Sequence, residues 1–249
     1  MADIKIELVA YNLQSLQAAV KAGVDRIELC SSPDEGGVTP SFGFIEQARK
    51  LCPMDLYVMI RPRGGDFLYN IYEYNAMKRD IAQSQRLSID GVVLGILKAD
   101  GSLDKTRCKE LIDMARPLKV TCHRAFDMTA DPFQALEDCI EIGFDRILTS
   151  GQKSNAIEGQ ILIADLIKRA AGRINIMPGA GINANNVVEL LKQTQAKEIH
   201  LSAKTHVASQ MQFINEYIKG MGASANEAYQ ILSADVEMLQ EVRRLLQAI

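Results

Sequence analysis

The chain has 249 residues, of which 47% are hydrophobic and 24% are charged, and its formal net charge is −3. This composition is typical of a soluble globular protein, and the length suits one large domain such as a (β/α) barrel. The pI of about 5.7 argues against a nucleic-acid-binding protein, because such proteins carry a broad basic surface. The apolar runs are short and interrupted by charge, so we expect no membrane-spanning segment.

Eight short apolar runs alternate with segments of helical periodicity. The runs predict strands at 4–10, 26–30, 56–60, 91–95, 119–122, 146–150, 174–177 and 198–202. Between them, apolar residues recur every three or four positions, which predicts amphipathic helices. This alternation favours parallel strands joined by right-handed crossovers. We therefore predict a single α/β domain over residues 1–249, a TIM barrel with eight parallel strands; an open doubly wound sheet is the alternative.

An internal repeat supports the barrel. The segments GVDRIELCS at 23–31 and GFDRILTSG at 143–151 share Gly, Asp, Arg and Ile in register. The segments LYVMIRPRGG at 56–65 and INIMPGAG at 174–181 align at a similar offset. Two fused half-barrels of four βα units would produce this pattern, and a chance likeness between strand beginnings is the alternative.

The end of the chain departs from this alternation. A stretch rich in Gly, Ala and Ser at 220–228 precedes an amphipathic helix that contains Met238, Leu239, Val242 and Leu245 at helical spacing. We interpret this helix as the last barrel helix, delayed by an insertion at about 207–233. The insertion would form a lid or a subunit contact.

The five cysteines indicate a reducing compartment. They are odd in number, widely spaced and free of any CxxC pair, which fits reduced thiols better than a disulfide framework. The N-terminal MADIKIELVAYN lacks the basic start and long apolar core of a signal peptide. We therefore expect a cytoplasmic location.

Three arginines follow predicted strands, at the end of a barrel where ligands bind. Arg61 and Arg63 lie in RPRGGDF after the third strand, and Arg124 lies in HRAFD after the fifth. A guanidinium group can hold a carboxylate or phosphate at two points, so these residues are candidates for anion binding. Ion pairs with Asp66 and Asp127 are the structural alternative.

Ionisable residues at strands and strand ends are candidates for acid–base catalysis. Glu7 and Glu28 interrupt apolar strands, and a carboxylate inside a barrel must be paired or protonated. His123 opens the fifth loop, whereas His200 is more typical of a hydrogen-bonded core residue. We assign candidate catalytic roles to Glu28, His123 and Glu7, and structural salt bridges are the alternative for the two carboxylates.

The last two loops have features of a phosphate site. PGAGI follows the seventh strand and SAKT follows the eighth, as at the phosphate-binding end of many barrels. Gly179 and Gly181 would expose backbone N–H groups to an anion, with Ser202 beside them. Ordinary glycine turns would give the same pattern.

The motifs IELC, EGGVTPS, RPRGGDF, HRAFD, LTSGQ and PGAGI together resemble the CutC family, known as copper homeostasis proteins. The resemblance implies a (β/α) barrel, a cytoplasmic location, a homodimer or higher homo-oligomer, and copper binding. Cys30 matches the family cysteine that ends the second strand and is the candidate metal ligand. Val9 stands where family members carry a cysteine at the end of the first strand.

Three hypotheses for function remain open at this point. One is a copper handler that uses Cys30. Another is a barrel enzyme of isomerase, lyase or aldolase type that acts on a small phosphorylated or carboxylated metabolite. The third is a scaffold whose charged loops only bridge to one another.

Overall fold

A computed structural model of the protein describes residues 4–215, 217 and 229–248. Eight strands alternate with eight helices along these residues, and a short hairpin precedes the last helix. The strands are β1 (Lys5–Ala10), β2 (Arg26–Leu29), β3 (Asp55–Met59), β4 (Gly91–Leu94), β5 (Lys119–Cys122), β6 (Arg146–Thr149), β7 (Asn175–Pro178) and β8 (Glu198–Leu201). The helices are α1 (Leu13–Ala22), α2 (Phe42–Leu51), α3 (Ile71–Gln85), α4 (Lys105–Ala115), α5 (Pro132–Ile142), α6 (Gln160–Ala170), α7 (Val187–Thr194) and α8 (Val236–Gln247).

The eight strands form one parallel sheet that curls into a nearly closed barrel. The strand order follows the chain from β7 back to β1, and β8 then pairs with β1. This pairing sets Glu7 opposite His200. The remaining neighbours, β7 and β8, contact each other without a ladder of hydrogen bonds. The predicted TIM barrel is confirmed, and the open doubly wound alternative is wrong.

The repeated motif has the same geometry in both halves of the barrel. Gly23 ends α1 with a φ of 72° and Gly143 ends α5 with a φ of 95°, conformations that glycine adopts without strain. Two residues later, an aspartate accepts a backbone N–H from the preceding strand, at 2.8 Å for Asp25 and 2.9 Å for Asp145. Asp90, which precedes β4, likewise accepts the backbone N–H of Leu56 in β3, at 2.8 Å. The motif therefore fixes where a strand begins beside its neighbour.

Charged side chains occupy the centre of the barrel. Arg26 on β2 donates to Glu7 and to Glu198, each at 2.5 Å, and Arg146 on β6 donates to Glu198 at 2.6 Å. Both guanidinium groups stack on Tyr57, at 5.1 and 5.4 Å from the ring centre. All five side chains are buried. The two arginines that the repeat relates thus share one carboxylate, which supplies the pairing that buried charges require.

The hairpin joins the barrel to its last helix. Its strands, β9 (Lys204–Ala208) and β10 (Gln230–Ala234), pair antiparallel. Part of the insertion predicted at 207–233, residues 216 and 218–228, lies outside the described residues, so a lid or subunit contact there stays a prediction. Among the described helices, none has both the length and the apolar character needed to span a membrane.

Candidate functional site

A cavity of about 220 Å³ lies at the C-terminal ends of the barrel strands. Seven of the eight strands, or the loops that follow them, contribute to its wall; β4 does not. The polar side chains in the wall belong to Tyr11, Glu28, Arg61, His123, Arg124, His200, Ser202 and Lys204. This is the end of the fold at which (β/α) barrels bind ligands.

Arg61 brings a buried positive charge to the wall. Its guanidinium donates to three backbone carbonyls in the loops after β2 and β3, at 2.6 to 2.8 Å, and stacks on Phe67. Its Nε has no hydrogen-bond partner among the described residues. Whereas Arg63 and Arg124 pair with carboxylates, Arg61 forms no ion pair with any described carboxylate. Because a buried charge without a counter-ion is unfavourable, the position suits an anionic ligand.

His123 presents a neutral hydrogen-bond donor to the cavity. Its Nδ1 accepts the backbone N–H of Ala125 at 3.1 Å, so the proton of the neutral ring lies on Nε2. That Nε2 is buried and has no partner in the described part of the chain. Burial and the positive charge of Arg61 lower the pKa of His123 to about 3. A Cβ at Gly95 would lie 2.9 Å from Cε1 of His123, so glycine at this position makes room for the ring.

His200 connects the charged centre of the barrel to the cavity. Its Nδ1 lies 2.7 Å from Oε1 of Glu7, and its Nε2 lies 3.8 Å from Oε2 of Glu28. Glu28 is in the wall of the cavity, whereas Glu7 lies beneath it, next to Arg26. The second oxygen of Glu28, Oε1, is buried and has no hydrogen-bond partner within the described chain.

The protonation states of these three groups depend on one another. Burial raises the pKa of Glu28 to about 7, although the charge of His200 opposes this shift. Burial lowers the pKa of His200, but Glu28 and Glu7 outweigh it and hold this pKa above its usual value. Burial also raises the pKa of Glu7, but Arg26 and His200 together lower it far below its usual range. Glu7 is therefore ionised, and Glu28 changes its protonation near neutral pH.

The other two predicted anion-binding arginines already have partners. Arg124 is in the wall, but its Nε donates to Asp127 at 2.8 Å. Arg63 is not part of the wall and pairs with Asp66 at 2.9 Å and with Glu73 at 2.6 Å. The structure thus brings Arg61 and Arg124 to one cavity and leaves Arg63 outside it.

The predicted phosphate loop meets the cavity at only some of its residues. Gly181 and Ser202 are in the wall, together with Ala180. Gly179 is not in the wall, and a Cβ there would lie 2.6 Å from a methyl group of Leu148. Glycine at 179 therefore serves close packing, and the exposed part of the loop is at 180–181.

Cys30 lies behind the wall in a small buried cluster. The cluster consists of Val9, Cys30, Tyr57, Met59 and Val93. A Cβ at Gly37 would lie 3.1 Å from Sγ of Cys30 and 3.8 Å from Cε of Met59, so the two sulfur-bearing side chains adjoin the same glycine. Burial, reinforced by Glu28, raises the pKa of the Cys30 thiol well above its usual value.

Several wall residues were not predicted to belong to the site, among them Tyr11, Met59, Phe67 and His200. Tyr11 follows β1 and Met59 ends β3. Their position at the C-terminal ends of strands is the signal by which the sequence could have identified them. His200 shares a face of β8 with Ser202, by strand alternation. Its contact with Glu7 depends on the closure between β1 and β8, which periodicity does not reveal.

Comparison with known proteins places the chain in a family. The CutC family model matches residues 4–205. A CutC family protein from Parabacteroides distasonis is 48% identical over 244 residues, which cover 98% of each chain. One from Histophilus somni is 42% identical over 242 residues, which cover 97% of this chain and 99% of that relative. The crystal structure of a CutC protein from Streptococcus agalactiae, named for copper homeostasis, has a TM-score of 0.76 and 35% identity and covers 79% of this chain and 97% of that one. The protein belongs to the CutC family.

Proposed function

We propose that the cavity binds a small metabolite that carries a carboxylate or a phosphate. The observation that carries the proposal is the pair formed by Arg61 and His123. Both side chains are buried in the wall, and both have a nitrogen without a partner among the described residues, Nε of Arg61 and Nε2 of His123. A cation and a neutral N–H donor at one cavity are the groups that recognise an anionic oxygen.

The surroundings of this pair support the same ligand class. Phe67 contacts both side chains, which fixes the two donors relative to each other. Gly181 and Ser202 add a loop backbone and a hydroxyl group to the wall. Lys204 adds a second cation, with its Nζ 5.3 Å from the ring centre of Tyr11.

We further propose that the protein is an enzyme and that the bound metabolite is its substrate. A neutral imidazole that donates to a bound oxygen stabilises negative charge as it develops there, which isomerase, lyase and aldolase reactions require. His123 is the residue we assign to this role. The acid–base roles predicted for Glu28 and Glu7 stay predictions.

Thermal unfolding against a panel of phosphorylated and carboxylated metabolites tests the proposal. A ligand that binds the folded state raises the melting temperature with the logarithm of its concentration. We expect at least one compound to do so, and we expect the shift to disappear in Arg61→Gln but to persist in Arg63→Gln. An equal shift in all three proteins, or no stabilising compound in the panel, would contradict the proposal.

Copper handling is a second candidate function, which Cys30 and Met59 favour. A thiolate and a thioether are soft ligands that suit Cu(I), and these two side chains share one cluster beside the cavity. Val9, in the same cluster, offers no ligand atom, and burial disfavours the thiolate of Cys30. The fit to copper is therefore partial, and we propose Cu(I) as cargo held by Cys30 and Met59.

Competition with a coloured Cu(I) chelator tests this candidate. We expect one Cu(I) per chain to be withdrawn from the chelator, with loss of uptake in Cys30→Ser and in Met59→Leu. Cys52→Ser is the matched control, because Cys52 is a buried thiol at the end of α2 that donates to the backbone oxygen of Met54 and lies outside the cluster of Cys30. Uptake that survives in Cys30→Ser would remove the assigned ligand.

A cytoplasmic location and a homo-oligomeric state are also proposals. All five cysteines are free and buried, as expected in a reducing compartment. Met211, Phe213 and Ile214 lie close together along the chain and are exposed, at 63%, 72% and 57%, which favours a contact between copies. Light scattering of the purified protein measures the oligomeric state, and a monomer at all concentrations would contradict it.

A further inference from the structure

The candidate for a second kind of ligand is the group formed by Glu7, Glu28 and His200. One donor atom from each of these side chains lies within 4.8 Å of the others. Nε2 of His200 is 3.8 Å from Oε2 of Glu28, which is too long for a hydrogen bond. The other oxygen of Glu28 is buried without a partner among the described residues. Glu28 and His200 therefore both line the cavity, and their potential ligand atoms do not satisfy each other.

The position of Glu7 decides which nitrogen of His200 is available. Oε1 of Glu7 lies 2.7 Å from Nδ1, and Oε2 of Glu7 accepts from Arg26 at 2.5 Å. Because a carboxylate that pairs with Arg26 accepts the proton of Nδ1, the neutral ring keeps its lone pair on Nε2. Metal-binding histidines are held in this way, with the second ring nitrogen donating to a carboxylate.

We propose that Nε2 of His200 and the carboxylate of Glu28 bind a divalent first-row transition-metal ion at the cavity, with Glu7 as the carboxylate that positions the imidazole. A nitrogen and an oxygen ligand suit Zn²⁺, Co²⁺ and their neighbours better than Cu(I), which prefers sulfur. Glu7 is not itself a ligand, because both of its oxygens are already engaged.

The two side chains leave most of the coordination sphere of the ion open. Both lie in the wall of the same cavity as Arg61 and His123. Water or an oxygen of a bound anion can therefore complete the sphere from the cavity, as in catalytic metal sites, which keep an open position. The proposal goes beyond the binding of an anion and stands on different residues.

Calorimetric titration of the chelator-treated, full-length protein with Zn²⁺ tests the site. We expect one ion per chain, and we expect the affinity to fall at least about ten-fold in Glu28→Gln and in His200→Asn. Asn at 200 can still donate to Glu7, so the variant removes the ligand atom but keeps the buried hydrogen bond. Glu158→Gln, at an exposed carboxylate in the loop after β6, is the matched control and should bind as the wild type does.

The Co²⁺ absorption spectrum gives a second measurement on the wild-type protein, independent of whether a variant folds. Visible bands of a nitrogen–oxygen site should appear and should be abolished by one equivalent of Zn²⁺. Cys139→Ser, at a buried thiol of α5 that is not part of the cavity wall, should leave both results unchanged. Absence of stoichiometric binding in the wild type would overturn the proposal, as would full affinity in both site variants. The Glu7–His200–Glu28 group would then be a structural chain of polar contacts.

Discussion

Arg61 stacks on Phe67, with its guanidinium carbon 4.9 Å from the centre of the ring. The imidazole of His123 packs against the same ring, with 4.8 Å between ring centres and a tilt of 45°. One aromatic side chain therefore fixes the separation of a buried cation and a neutral donor. Phe67 is a positioning residue for the proposed anion site.

Replacing Phe67 should weaken anion binding without unfolding the protein. In Phe67→Leu the apolar volume is largely kept, but the cation–π contact, worth about 0.5–2 kcal/mol, is lost. We expect the affinity for inorganic phosphate, measured by calorimetric titration, to fall by a factor of about three to thirty. Phe133→Leu is the matched control, because Phe133 stacks under Arg169 at 5.1 Å, away from the cavity. An equal effect in both variants would contradict a positioning role.

The central arginine of the barrel should be essential for stability. Arg26→Met removes the cation that Glu7 and Glu198 share and leaves both carboxylates buried. We therefore expect the free energy of unfolding to fall by about 3–5 kcal/mol. Arg173→Met removes an exposed ion pair with Glu137 and should change the free energy of unfolding by less than about 1 kcal/mol. Urea denaturation measures both values. A small effect of Arg26→Met would mean that the buried carboxylates become protonated or find other partners at little cost.

His123 should make the protein less stable in acid. Its pKa is about 3 in the folded state, whereas the ordinary histidine value of 6.5 applies to the unfolded chain. Between these two pH values, only the unfolded state takes up the proton. The contribution of His123 to the free energy of unfolding is therefore fully present above pH 6.5. It is lost as the pH falls toward 3, by up to about 1.4 kcal/mol per pH unit. Burial lowers this pKa most, and the charge of Arg61 lowers it further.

The variant His123→Asn isolates this contribution. Asn caps helices and can accept the N–H of Ala125, as His123 does, but it does not titrate. The difference in unfolding free energy between wild type and variant should shrink as the pH is lowered from 6.5. A difference that is independent of pH would show that the imidazole is not held neutral.

A cysteine at position 9 should strengthen copper binding. Val9 shares a buried cluster with Cys30 and Met59, so Val9→Cys adds a second thiol beside them. We expect the Cu(I) affinity, measured against a chelator, to rise by an order of magnitude or more. The same gain in the double variant Val9→Cys, Cys30→Ser would show that Cys30 takes no part.

The fold was largely predictable because its signals are local. Apolar runs mark the strands, and the repeated Gly-x-Asp-Arg-Ile motif marks where a helix ends and a strand begins, through Gly23, Asp25 and their counterparts. In a (β/α) barrel, the loops that follow the strands all lie at one end, so residues that are distant in the sequence come together there. Glu28, Arg61 and His123, which are far apart in the sequence, do line one cavity. Their roles remain predictions.

The details that could not be predicted depend on side-chain direction and on contacts between the two ends of the chain. Arg63 is two residues after Arg61, yet it turns out to Asp66 and Glu73. Gly179 packs against Leu148, so the cavity meets the loop one residue later. The position of His200 beside Glu7 requires the pairing of β8 with β1.

Electron density for an anion in the cavity tests the central claim most directly. Selenate resembles phosphate in shape and charge, and its selenium gives an anomalous signal in soaked crystals. The account predicts an anomalous peak with selenate oxygens at hydrogen-bonding distance from Nε of Arg61 and Nε2 of His123, and no such peak in Arg61→Gln. Selenate bound only at surface lysines, with none in the cavity of the wild type, would contradict it.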